Sequence, residues 1–183
     1  MDVISAIHSR SSYRGKYDVA PVSREHLRLI VEAGIAAPSG CNKQSSSFIA
    51  IDEPSLLKKI HQLLDPSVID CPPAMICVIS QRLIAYRNVS FSVQDYSAAI
   101  ENMLLTIVAL GYQSCWIEGH ITDSDAIGRK IADLLGVPDD FSLVCLLPVG
   151  RALEPVKRIE KKTFEQRAWF NGFMHKENMN CND

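Results

Sequence analysis

The sequence has no apolar run of the ~18 residues that a membrane span needs, and its first ten residues, MDVISAIHSR, hold no apolar segment behind a basic start. Both absences point to a soluble, cytoplasmic chain. Charge of one sign is missing too: 19 basic against 21 acidic residues leave a formal −2, too little field to gather nucleic acid or anionic lipid. The six cysteines form no C-x-x-C pair and have no histidine at zinc-ligand spacing. A reduced set of thiols is expected, with Cys77, Cys115 and Cys145 inside apolar, strand-like runs where a thiol acts as a small hydrophobe. The patterns G-x-G-x-x-G, G-x-x-x-x-G-K-[ST], G-x-S-x-G and H-E-x-x-H are all absent. That disfavours a Rossmann or P-loop nucleotide site. Internal repeats and low-complexity linkers are absent as well.

What is present suits one domain: 183 residues, 47% apolar, can bury roughly 70% of the unfolded surface. Asp2 caps a short first helix with Val3, Ile4 and Ile7 on one face. Ser23 caps a second, with Leu27, Ile30, Val31 and Gly34 on one face and Pro38 marking its end. Strands are expected at 47–52, 74–80, 113–119 and 141–150, and helices at 54–64, 92–110 and 123–136. The runs AMICVIS and FSLVCLLPVG are apolar throughout, as in strands buried on both faces. Ser92 with Asp95 reads as a capping box opening the 92–110 helix, which is apolar nearly all round and so buried in the core or in an interface. From Arg151 onward the chain is mostly polar, and Phe164, Trp169, Phe170 and Phe173 need a surface to dock on. Four strands separated by helices give a layered α/β or α+β domain.

Four short stretches could carry chemistry. In Arg10-Ser11-Ser12-Tyr13-Arg14, two guanidinium groups bracket two hydroxyls, a composition that suits a phosphate or a solvated turn. Pro38-Ser39-Gly40-Cys41-Asn42-Lys43-Gln44 is rich in amides and hydroxyls, which suits a planar heterocycle or a sugar chain, or only a polar turn. Cys115 to His120 leaves a strand into a glycine turn, where Gly119 lets a ring approach the main chain; His120 is either an acid or a surface histidine. Pro148-Val149-Gly150-Arg151, followed by Arg158, again supplies cations suited to phosphate.

Taken in order, these stretches resemble the FMN-dependent nitroreductase family in one of its small forms. The resemblance runs from about Ile4 to Arg158 and rests on SRSSYR, AAPSGCNKQ, DYSAAIENMLLTIVALGYQSCWIEG and PVGR. It implies an α+β fold with a central, mostly antiparallel sheet flanked by helices, in an intertwined homodimer with one FMN in each of two interface clefts. The whole chain, 1–183, is then a single domain, with 159–183 a C-terminal extension docking on the partner subunit. Carried over, Arg10 and Ser12 match phosphate and ribityl contacts with Ser11 beside them, and Arg14 matches a cation at the pyrimidine edge of the flavin. Pro38, Ser39, Gly40, Asn42 and Gln44 match the loop that the second subunit contributes. Ile117, Glu118 and Gly119 match the segment whose backbone approaches flavin N5, and Gly150, Arg151 and Arg158 lie where late phosphate contacts fall.

The implied activity is hydride transfer from NADH or NADPH through FMN to a small-molecule acceptor such as a nitroaromatic or quinone, in a ping-pong cycle that needs no catalytic dyad. Enone reduction or dehalogenation on the same scaffold, or a flavin-binding redox-sensing module, are the alternatives. Two departures stand out. Gln44 is followed by Ser45-Ser46-Ser47 where the family often has Pro-Trp, which removes a rigid buttress from the loop, and Cys41 within that loop is either redox-active or inert. Lower flavin affinity is the expected consequence of the first.

Overall fold

In this computed structural model, residues 1–64, 70–122 and 126–173 are described. Three antiparallel strands form the main sheet in the order β1 (Ser46–Ile51), β2 (Ala74–Ser80), β5 (Ser142–Val149). A separate hairpin is built from β3 (Ile84–Tyr86) and β4 (Val89–Ser90). The helices are α1 (Val3–Ser9), α2 (Arg24–Ile35), α3 (Pro54–Leu63), α4 (Ser92–Ala109), α5 (Gly119–Thr122), α6 (Ile127–Leu134) and α7 (Phe164–Arg167). This is the expected α+β arrangement. Among the described residues no helix is long and apolar enough to cross a membrane, and no cluster of His, Cys, Asp and Glu could hold a metal ion.

The central strand β2 explains the layering. Every one of its seven residues is buried, and side chains along a strand alternate between faces. Met75, Cys77 and Ile79 enter a core with Leu57 and Ile60 of α3 and Ile131 of α6. Ala74, Ile76 and Val78 enter another with Ile30 of α2 and Ile100, Met103 and Ile107 of α4. A continuous apolar run is what a strand between two helical layers requires.

Asp2 and Ser23 cap as expected, accepting from the N–H groups of Ser5 (3.1 Å) and His26 (3.2 Å). The strand expected at 113–119 is an irregular edge segment. It joins β5 through antiparallel bridges of Gln113 to Gly150 and Ile117 to Leu146, and on its far side Ser12 bridges Ser114. The helix expected over 123–136 begins at Ile127; positions 123–125 lie outside the described residues.

One expectation fails. The capping box of Ser92 and Asp95 does not form: the N-cap is Phe91, whose ring has no acceptor to offer, and the Asp95 carboxylate turns to another segment. On α1 the buried side chain is Ala6, while Val3, Ile4 and Ile7 are 66%, 60% and 48% exposed.

Candidate functional site

Three parts of the chain converge at the free side of the 113–117 edge. Beyond α1 the chain runs extended beside it, and the Tyr13 N–H donates to the Ser114 carbonyl at 2.9 Å. After β5 the chain folds back onto the same region. The Asp18 N–H donates to the Arg151 carbonyl (2.9 Å), the Leu153 N–H to the Lys16 carbonyl (3.0 Å), and the Ser11 hydroxyl to the Lys157 carbonyl (2.9 Å). Residues 10–14, 114–119 and 151–158, far apart in sequence, are thereby neighbours.

The side chains of 10–14 are all cationic or hydroxylic, and Arg151, Lys157 and Arg158 add cations to the apolar and acidic residues of the other two stretches. Arg10 is half-buried, its Nε 3.5 Å from Glu101 on α4, whereas Arg14 and Arg158 are exposed. Burial pushes the Cys115 thiol up to about 11, and the nearby Arg14 charge pulls it the other way. Among the described residues Ser114 Oγ and Gln113 Oε1 are buried without a hydrogen-bond partner, as is Ser46 Oγ of β1; an unmet buried group costs about 1–3 kcal/mol. Ser114 pairs with Ser12 and Tyr13, and Gln113 with Gly150.

The sheet ladder stops at Ile117, whose N–H and carbonyl both pair with Leu146. Among the described residues no acceptor takes the N–H of Glu118 or Gly119, so the main chain there is free of the sheet. The Glu118 side chain is held from two directions: Tyr96 Oη donates to Oε1 at 3.0 Å, and Trp116 Nε1 donates to Oε2 at 2.7 Å. Burial first, and the bond to Glu118 second, push the Tyr96 phenol up to about 12.

The loop after α2 contains a 3-10 turn over Gly40–Asn42 and three non-glycine residues in left-handed backbone: Cys41 (φ 51°), Asn42 (φ 53°) and Gln44 (φ 50°). Such residues cost about 1–3 kcal/mol each, least for Asn, and persist where surroundings hold them. Internally, Ser39 Oγ accepts the Gln44 N–H at 3.0 Å, and the Ser39 carbonyl accepts the Asn42 N–H at 3.0 Å. Asp95 ties the loop to the body, its Oδ1 accepting the Gly40 N–H (2.7 Å) and its Oδ2 the Ser45 hydroxyl (2.6 Å). Gly40 is required by close approach: a Cβ there would lie 2.7 Å from that of Phe91. A cavity of ≈ 240 Å³ opens beside the loop, with Ser39, Gln44 and Asp95 in its wall.

Not every expected site residue faces this ground. Gly150 exchanges both its main-chain bonds with Gln113, and a Cβ would meet Tyr17 and Pro73 at 2.7 and 2.8 Å, so its smallness serves packing. Ser11 is buried and its hydroxyl is committed to Lys157. The Arg151 guanidinium stacks over Tyr112, 5.3 Å from the ring centroid, at the far end of α4. Pro38, Ser39, Asn42 and Gln44 make no hydrogen bond or ion pair with Arg10, Ser12, Arg14 or Arg158 among the described residues. Instead α4 links the two groups, Asp95 gripping the loop and its neighbour Tyr96 gripping Glu118.

Comparison with known proteins bears on this geometry. The family model described as "Nitroreductase family" matches residues 7–74 and 60–151. The chain belongs to the nitroreductase family. A relative from Methanothermobacter thermautotrophicus, named provisionally as an NADH dehydrogenase/NAD(P)H nitroreductase, is 30% identical over 156 residues, 84% of this chain and 79% of its own. An FMN-dependent nitroreductase from Clostridium difficile R20291 has a similar structure, with TM-score 0.78, 25% identity, and coverage of 93% of this chain and 99% of its own. A nitroreductase with bound FMN from Bacteroides fragilis NCTC 9343 gives TM-score 0.70 at 26% identity, covering 89% and 95%.

For this nitroreductase-family chain, sequence reasoning missed Asp95, Tyr96 and Trp116 as holders of the site. The signal was present for Asp95, a carboxylate in the first turn of an otherwise apolar helix, but local spacing gave it to the helix itself. The hairpin β3–β4 was also missed: its turn residues Arg87 and Asn88 have φ of 48° and 60° without the glycine that usually announces such a turn.

Proposed function

We propose that this chain is an FMN-dependent NAD(P)H oxidoreductase that reduces an oxidised small molecule, such as a nitroaromatic or quinone, as a homodimer with a flavin in each of two interface clefts. The observation that carries the reading is the meeting of residues 10–14, 114–119 and 157–158 on one protomer. The residues fit the group: Arg10, Arg14 and Arg158 supply cations and Ser12 a hydroxyl, and the buried Ser114 Oγ next to Ser12 has no hydrogen-bond partner among the described residues.

FMN, when bound, supplies the hydride-accepting centre and returns the electrons to the second substrate. Everything else is the work of this chain. Arg10, Arg158 and Ser12 hold the phosphate and ribityl chain. Arg14 stabilises the negative charge that develops at the pyrimidine edge on reduction. The main chain of Glu118 and Gly119, beyond the last ladder pair at Ile117 and braced by Tyr96 and Trp116, orients the reacting edge. The 38–44 loop reaches the partner's cleft, presenting Pro38, Ser39, Asn42 and Gln44. Ser11 and Gly150 act through the fold rather than by contact, and Arg151 does so through Tyr112.

The homodimer also accounts for surfaces that one protomer leaves bare. Val3, Ile4 and Ile7 of α1 are exposed, as are Phe164, Phe170 and Phe173 of the segment after residue 159, and burying such patches drives association. Of the extension expected at 159–183 to dock on the partner, positions 174–183 lie outside the described residues, and 159–173 act as the docking part of a single-domain chain.

The test begins with a spectrum. Purified protein incubated with FMN and desalted should carry flavin absorbance, run as a dimer, and oxidise NADH or NADPH anaerobically when a nitroaromatic or quinone is added. A preparation that stays colourless refutes the cofactor assignment. Bound flavin that neither nicotinamide reduces refutes the reductase.

A further inference from the structure

The departure of Ser45-Ser46-Ser47 from the family's Pro-Trp raises the question of what braces the 38–44 loop, and the structure supplies a different brace. Asp95 is 5% exposed and Ser45 3%. The carboxylate is paired with no cation among the described residues. Its two oxygens are given instead to one donor at each end of the loop, the Gly40 N–H and the Ser45 hydroxyl. A buried carboxylate with such partners is bonded at short distance on both sides, and charge-assisted bonds of this kind are about twice as strong as neutral ones. A proline at position 45 would have no hydroxyl to donate. Ser45 therefore does by hydrogen bonding what a ring does by rigidity.

We propose that Asp95 and Ser45 are positioning residues for flavin binding: they clamp the ends of the loop to the first turn of α4, and so hold its left-handed backbone ready for the partner's cofactor. This rests on the reading that the loop contacts FMN across the dimer. On the next residue, Tyr96 braces Glu118. One helical turn thus sets both the loop offered to the partner and the segment kept for the chain's own site.

FMN titration of the dimeric apoprotein, with thermal melting alongside, tests the clamp. Loss of one hydrogen bond to a charged acceptor corresponds to about 10- to 100-fold in affinity. Ser45→Ala and Asp95→Ala should raise the FMN dissociation constant by that order. Asp95→Asn, which keeps an acceptor for the Gly40 N–H and can donate to Ser45 Oγ but loses the charge, should bind FMN with an affinity between those of wild type and Asp95→Ala. A purely structural role would lower the melting temperature and leave the affinity of the folded dimer unchanged, which overturns the proposal. If Asp95→Ala does not fold, Ser45→Ala alone decides. Wild type that binds FMN while Ser45→Ala binds it equally well refutes the clamp and spares the flavoprotein reading; wild type that binds no FMN refutes both.

Discussion

Replacing Tyr96 by Phe removes one hydroxyl and keeps the ring, so its effect isolates the bond to Glu118 Oε1 at 3.0 Å. A bond to a charged acceptor contributes about 1.5–3 kcal/mol. Glu118 is half-exposed, so water can take the vacated lone pair, and the lower end, about 1.5 kcal/mol, applies. For a chain of this size that is a fall in melting temperature of about 3–6 °C. Urea unfolding of the apoprotein at pH 8 should show a lower midpoint with an unchanged slope. The pH dependence sharpens the test. The phenol is pushed up from 10.0 to about 12 in the folded protein, so the native state holds that proton more tightly than the unfolded chain. Its stabilising effect is complete below pH 10 and is lost as pH rises toward about 12. The gap between wild type and Tyr96→Phe should therefore stay constant up to pH 10 and shrink above it. Equal midpoints at pH 8, or a gap that stays constant through the alkaline range, would refute the brace.

Arg14→Ala should lower the flavin midpoint potential more than it weakens FMN binding, and a redox titration with unchanged potential removes Arg14 from that role. Gly40→Ala should cost about 1–3 kcal/mol, because its new methyl meets Phe91. A double variant with Phe91→Gly, which removes the Cβ as well as the ring, should recover part of that loss in a thermal melt, and strict additivity would argue against the contact. In the native protein at pH 8, a thiol reagent should label the exposed Cys41 first and Cys71 more slowly, since burial and Asp70 push the Cys71 thiol up; Cys77, Cys115 and Cys145 should react after denaturation.

The elements most legible in the sequence were those whose patterns have few competing explanations. β2 and β5 announced themselves by uninterrupted apolar runs, and α4 by an apolar surface nearly all round. Of the face shared by Leu27, Ile30, Val31 and Gly34 on α2, all are buried but Val31, which is partly so. On α1 the same kind of spacing grouped Val3, Ile4 and Ile7 without saying what covers them, and all three are exposed. The site was legible as four stretches but not as a set of bonds. A first-turn carboxylate can serve its own helix or a loop fifty-five residues back, and Asp95 does the second. Ser11 and Gly150 were grouped with the ligand contacts because they flank arginines, yet their partners, Lys157 and Tyr17, lie far along the chain.

The burial of Cys77 and Cys115 has a consequence for oxidative damage. A reduced flavin in air is a source of peroxide, and peroxide attacks the thiolate rather than the thiol. Burial pushes the Cys77 thiol up to about 12 and the Cys115 thiol up to about 11, so both stay protonated at pH 7. The core keeps its sulfurs protonated as well as dry, so oxidation that reaches the folded protein falls first on the exposed thiols, of which Cys41 stands in the loop that Asp95 holds.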